Sequence, residues 1–444
     1  MSARGQFSSR IGFILAAAGS AVGLGNIWGF PTQVASNGGA AFVLVYIILA
    51  FCLAYPVLMA ELTIGRATRS NMVDALGEVT GSKIGRATGV WGFVTVSLIL
   101  SFYALVGGWM FAYMLESISE LFGSKNLSEW LTGFSHTRNL LFCALFMGLT
   151  AAIVTGGVSD GIERWSKRLM PTLIAIIVLL IIYVSTLDGA MDGWKAYWVP
   201  DFSSVFNPDL LVSAMGQAFF SMSLGVGTML VYGSYVSKEE NLPSLGASVA
   251  LVDIGVAVLA GLLIIPAMYV ALNNGIQIFG ENGELISEDS LIFTVLPTLF
   301  DSMGAVVGGI VAFAFFTLMV VASLTSSISM LEVPVAYVVE SKGVMRKKAV
   351  WLLCIAIFCV SAIIVFNFNA LFGLVIAATT KYSQPLLGLL LCIFTGWVWH
   401  RDKVLAELKE GNPEAENGLF WKIWPWYLRF VCPVIIVVMF YRSL

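Results

Sequence analysis

The sequence predicts an all-α polytopic membrane protein of about eleven transmembrane helices, arranged as a five-plus-five inverted repeat in which helices one and six are discontinuous. Three observations predict it. Of the 444 residues, 58% are hydrophobic and 11% charged, and apolar stretches long enough to cross a bilayer recur along the chain. Lysine and arginine gather in alternate loops. Third, residues 16–31, AAAGSAVGLGNIWGFP, set Gly19, Gly23, Gly25 and Gly29 with Ser20 and Asn26 inside the first apolar segment. Such a run weakens a helix and frees backbone carbonyls. Lipid tolerates that only where the backbone faces protein or a watery cavity. Small residues for close helix packing would read similarly, so the rest of the chain decides.

Apolar segments fall near 11–35, 40–64, 88–118, 139–156, 168–187, 207–234, 244–274, 302–338, 349–367, 370–398 and 425–443. Arg4 and Arg10 precede the first; Arg66, Arg69, Lys83 and Arg86 follow the second. Arg164, Lys167 and Arg168 follow the fourth, Lys342, Arg346, Lys347 and Lys348 the eighth, and Arg401, Lys403 and Lys409 the tenth. All lie on one side, which the positive-inside rule makes cytoplasmic. The N-terminus is therefore expected inside and the C-terminus outside a bacterial inner or plasma membrane. The opposite loop at 275–300 is acidic, and its SLIFTVLPTLF end is apolar enough to fold back as a partly buried lid. The whole chain, 1–444, reads as one transmembrane domain.

The repeat is faint. Segment six contains QAFFSMSLGVGT, residues 217–228, whose Leu224-Gly225 echoes Leu24-Gly25 five spans earlier. Five is odd, so the halves, about 11–187 and 207–398, would be inverted, with 425–443 an extra helix. Paired glycine-interrupted helices at matching positions point to a midplane binding site.

Composition also excludes functions. The six cysteines are scattered through apolar segments without metal-ligand spacing, and His136 and His400 are the only histidines. No nucleophile–base pair can be assembled, so no enzyme is expected, nor any organic cofactor or nucleic-acid partner. Arg10 leads into a stretch too glycine-rich for a cleaved signal peptide.

Several polar groups sit at membrane depth. Segment eight carries ASLTSSIS, where Thr325 and Ser326 either bond between helices or supply hard oxygens to an unhydrated cation. Asp253 lies within SVALVDIGVAVLAG; a carboxylate there is costly and by default marks an ion path. The Ser221 hydroxyl and Asn26 amide are its candidate neighbours. Lys381, within AATTKYSQP, is a second anomaly, readable as a snorkelling lysine or as part of a gate. Gly161 and Pro171 bracket GIERWSKRLMP, where glycine loosens the start of segment five and proline removes a donor in its first turns.

Together GSAVGLGNIWGFP, NGGAAF, ELTIGR, GQAFFSMSLGVGT and SLTSSIS, in that order, resemble the bacterial branch of the neurotransmitter:sodium symporters. The resemblance covers Arg4 to about Trp397 and implies the inverted-repeat fold of the bacterial leucine transporter, with Na+ as coupling ion and an amino acid as substrate. It implies one sodium at the Ala21 carbonyl, Asn26, Ser221 and Asp253, completed by the substrate carboxylate. A second would lie among the carbonyls of Gly19, Val22 and Ala322 and the hydroxyls of Thr325 and Ser326. The substrate carboxylate would meet the Leu24 and Gly25 amides and the Tyr103 hydroxyl. Its ammonium would meet the carbonyls of Ala21, Phe220 and Ser221, with Ser223 nearby. Ile99, Val226 and Met330, beside Ser326, would line the side-chain pocket under Phe220.

Relatives that carry monoamines place an aspartate where this chain has Gly23, so an amino acid that brings its own carboxylate is expected. The resemblance further implies a cytoplasmic gate of Arg4 with Glu340, and an unwinding segment from Gly161 to Pro171. The family's outer arginine–aspartate gate is missing, since Gly29 and Gly373 or Ile376 stand at its positions, and Lys381 is a candidate replacement. Asp253 stands where asparagine is common, which implies transport without chloride.

Overall fold

The computed structural model describes residues 5–443 except 122, 201, 203–204 and 280–290. Among them nine continuous helices are long and apolar enough to span a bilayer: Ala40–Thr68, Lys83–Ser119, His136–Thr155, Val158–Val184, Leu242–Asn273, Ala305–Lys342, Arg346–Phe366, Phe368–Val398 and Leu419–Arg442. Arg10–Ala21 and Gly25–Ser36 form a tenth, bent by 58° at the break. The sixth segment is two shorter helices, Pro208–Ser221 and Thr228–Gly233. In chain order these are spans one to eleven below.

Both breaks have local causes. Span one stops because Val22 turns extended (φ −69°, ψ 108°), ending the first half, and the second half restarts with a π turn over Gly25–Gly29. Span six stops where Ser223, Gly225 and Gly227 all take positive φ. Gly225 could be nothing else: a Cβ there would lie 2.5 Å from the Gln384 carbonyl oxygen of span ten. Backbone freed in lipid must be satisfied by protein, and Glu61 of span two does this. It is fully buried and accepts the Gly225 amide at 2.6 Å and the Leu230 amide at 3.1 Å.

Spans three and eight, the longest, pack most extensively against each other. Spans five and nine turn Leu179, Ile182 and Ile355 outward, as lipid contact requires. The lid expectation holds for the described part of its loop. Leu291–Val295 and Leu296–Ser302 fold onto the protein, burying Leu291, Ile292, Leu296 and Leu299.

Candidate functional site

The two breaks meet at mid-membrane, and the polar residues singled out from sequence converge there. Asp253 is fully buried. The Asn26 amide donates to its Oδ1 at 2.8 Å and to Ser221 Oγ at 2.9 Å, and Ser221 donates to its Oδ2 at 2.8 Å. The Tyr46 hydroxyl donates to Ser221 at 3.3 Å, and Gln217 donates to the Gly25 carbonyl at 2.7 Å. No cationic side chain answers this carboxylate among the described residues. A buried carboxylate held only by neutral donors is a site that a cation could occupy.

A second oxygen cluster lies one turn away. Ser326 Oγ approaches the Val22 carbonyl at 3.1 Å and that of Gly19 at 3.4 Å. Thr325 donates to the Ala322 carbonyl at 2.9 Å. A Cβ on Gly19 would meet Thr325 at 3.2 Å and Met170 at 3.3 Å. Met170 precedes Pro171, so the glycine-to-proline stretch of span five touches this cluster directly. That stretch is wound here, as a π turn over Val158–Glu163 followed by α-helix through Pro171. Gly161 is required by packing, since a Cβ would lie 2.2 Å from the Ile153 carbonyl oxygen.

Between the clusters is a cavity lined by Ala21, Gly23, Leu24, Gly25, Ile99, Tyr103, Phe220, Ser221, Ser223, Val226, Ser326 and Met330. Every residue inferred for the substrate is thus brought to one place. The Leu24 amide donates to Tyr103 Oη at 3.3 Å, and Ser223 donates to the Ser20 carbonyl at 3.3 Å. A Cβ on Gly23 would lie 2.5 Å from Ser326 Oγ and 2.7 Å from Tyr103 Oη, so an aspartate there would displace both hydroxyls. Two lining residues escaped the sequence reading, Val96 and Gln384. Gln384 is 3% exposed, and its side-chain oxygen has no hydrogen-bond partner among the described residues. Glu61 was also missed, although an intramembrane carboxylate is the same signal that picked out Asp253.

A cluster of aromatic rings joins the lid to spans one, three and ten. Phe293 of the lid sits edge-on to Trp28 at 5.7 Å and to Trp109 at 5.9 Å, and 5.3 Å from Tyr113. Trp109 continues to Phe372 at 5.6 Å. Gly29 faces Gln217 instead of an ionic partner. Lys381 does not line the central cavity. It lines a neighbouring one with Phe220, Gln384, Pro385, Met439 and Phe440, between spans six, ten and eleven, and its Nζ lies 6.0 Å from the Tyr382 ring.

At the end carrying the basic loops, Glu332 pairs with Arg346 at 2.5 Å and accepts from Tyr235 at 2.7 Å. Glu340 accepts the Asn71 amide at 2.8 Å; Arg4 lies outside the described residues. Burial pushes the Asp74 carboxyl up, but hydrogen bonds from Ser341 and Asn71, with Arg86 and Lys342 nearby, hold it below its ordinary range. Phe7 packs edge-on against Phe13, Tyr232 and Tyr235. Glu163 of span five accepts the Ser8 amide at 2.6 Å and the Ser9 hydroxyl at 3.0 Å, tying the N-terminal segment to the wound stretch.

Comparison with known proteins agrees with this arrangement. The family model described as the sodium:neurotransmitter symporter family matches residues 4–134 and 127–444. An uncharacterized sodium-dependent transporter of Bacillus subtilis, YhdH, is 33% identical over 98% of this chain and 96% of its own. An uncharacterized sodium-dependent transporter of Haemophilus influenzae is 32% identical over 99% and 98%. Among solved structures, MhsT in complex with L-phenylalanine superposes with a TM-score of 0.85 at 36% identity, covering 99% of this chain and 100% of that one. Two broken helices meeting at buried oxygen clusters, in a chain matched end to end by these proteins, have one consistent origin: the chain belongs to the sodium:neurotransmitter symporter family, and is an integral membrane transporter, not an enzyme.

Proposed function

We propose that the protein is a sodium-coupled symporter of neutral, hydrophobic amino acids that works by alternating access and without chloride. The observation that carries this reading is the central cavity. Its polar floor, from the Leu24 amide to Ser221, suits a zwitterion, and Val96, Ile99, Val226 and Met330 give it an apolar wall. The phenylalanine held by MhsT is a ligand of this kind. Lys381 is absent from the cavity lining, which argues against an anionic side chain as the preferred cargo.

Sodium is a co-substrate here. One ion would be held by Ala21, Asn26, Ser221 and Asp253, and a second by Gly19, Val22, Ala322, Thr325 and Ser326. Ala21 and Ser221 belong both to the first set and to the cavity lining, so a substrate carboxylate completing that set would tie substrate affinity to the ion. Each sodium entering down a tenfold gradient and ~100 mV releases ~1.4 plus ~2.3 kcal/mol, and two supply ~7 kcal/mol. Tight coupling then supports a ~10⁵-fold gradient of a zwitterion.

Rocking of spans one, two, six and seven against the remainder would alternate access. Phe220 would close over the substrate, with Lys381 beside it on span ten. Arg4 with Glu340 would close the cytoplasmic side, and unwinding between Gly161 and Pro171 would release the second ion. The N-terminus is assigned to the cytoplasm and the C-terminus to the outside. The test is competition for labelled phenylalanine uptake into vesicles under an inwardly directed sodium gradient. Neutral aromatic and branched amino acids should compete, and acidic and sulfonated ones should not; the reverse order would reject the substrate class.

A further inference from the structure

At the end carrying the basic loops, a cavity of about 170 Å³ lies between the end of span ten, the helix Arg401–Glu410 and the start of span eleven. Two arginines, Arg401 and Arg429, line it. Arg401 stands 5.2 Å over the Trp421 ring, and Arg429 4.0 Å over that of Trp397. Neither has a carboxylate partner among the described residues, whereas Arg66, close by on span two, is paired with Glu407. The Thr395 hydroxyl also lines the cavity; it is 6% exposed and has no hydrogen-bond partner among the described residues. Trp424 of the wall donates to the Pro56 carbonyl at 2.9 Å, and Trp397, beside the cavity, donates to the Arg429 carbonyl at 3.0 Å. Beside the cavity Trp397, Ile423, Trp426 and Phe430 are 40–64% exposed.

We infer that this cavity is a binding site for the phosphodiester head of an anionic phospholipid. Two unpaired guanidiniums offer forked donors matched to phosphate oxygens, and the buried Thr395 hydroxyl adds one more polar group that now lacks a partner. Basic pockets between transmembrane helices at the cytoplasmic face take lipid head groups in this way. The exposed tryptophans and apolar side chains beside it are what acyl chains and the interfacial belt require. A soluble phosphate would have no use for them. Such a lipid would bridge spans ten and eleven on the face away from the central cavity, outside the transport site.

The test is native mass spectrometry of the full-length protein titrated with phosphatidylglycerol, phosphatidylcholine or inorganic phosphate. One phosphatidylglycerol should bind ahead of the others, and phosphatidylcholine should bind several-fold more weakly. Millimolar inorganic phosphate should not displace the lipid. Each arginine is worth about fivefold, so R401Q/R429Q should lose about 25-fold, while R401K/R429K keeps part of the affinity. Thr395→Val, which removes only the hydroxyl, should lose a few-fold and serves as the reading if the double glutamine variant does not fold. Unchanged phosphatidylglycerol affinity in these variants, equal binding of phosphatidylcholine, or displacement by inorganic phosphate would each overturn the assignment.

Discussion

Gln384 carries an unpartnered oxygen in the central cavity, beside its apolar wall of Val96, Ile99, Val226 and Met330, and a buried acceptor left unpaired costs free energy. A substrate whose ring ends in an N–H or O–H would relieve it. Tryptophan or tyrosine should therefore outcompete phenylalanine in wild type by about fivefold, one hydrogen bond's worth. Gln384→Leu should erase that preference, as measured by uptake inhibition. Asp253 has a different role. Its charge is answered only by the amide and hydroxyl of Asn26 and Ser221, so Asp253→Asn should raise the sodium concentration for half-maximal uptake by on the order of tenfold or more. It should also leave room for a chloride requirement. Asp253 was legible in the sequence because a carboxylate in an apolar run advertises itself. Gln384 was not, because a neutral amide two residues from Tyr382 and next to Pro385 carries no signal until the fold turns it inward.

At the scale of elements, the breaks in spans one and six were readable from glycine spacing, and so was the apolar lid. What filled the gaps was not. Glu61 satisfies the broken backbone of span six from span two, a contact between residues 164 positions apart that no local pattern encodes. The lid follows the same lesson. The absence of an arginine at Gly29 was visible in the sequence, whereas the aromatic cluster of Trp28, Trp109, Tyr113 and Phe293 is assembled from three separate elements. Phe293→Ala deletes the shared ring and about 3 kcal/mol of packing in the closed form. A cysteine at Ile99, in a background without other cysteines, should then be labelled faster by an external thiol reagent. An unchanged labelling rate would show that the aromatic cluster does not gate.

For the molecule as a whole, the built-in charge of Asp253 predicts equal uptake in chloride and gluconate media; strict dependence on chloride would remove that part of the account. Composition was enough to read a polytopic helical membrane protein, and motif order enough to read its family. The cavity beside Arg401 and Arg429 was not readable, because the two arginines lie 28 positions apart and meet only when span eleven packs on span ten. The central claim is that binding of sodium and substrate is joined at Asn26, Ser221 and Asp253 and drives transport. Its most direct measurement is accumulation of labelled phenylalanine in proteoliposomes under an imposed sodium gradient and a membrane potential negative inside. The account predicts concentration of the amino acid far above the external level, collapse when the gradient is dissipated, and loss of the sodium-driven part in Asp253→Asn. Saturable binding with no accumulation, or accumulation that is indifferent to the sodium gradient, would contradict it.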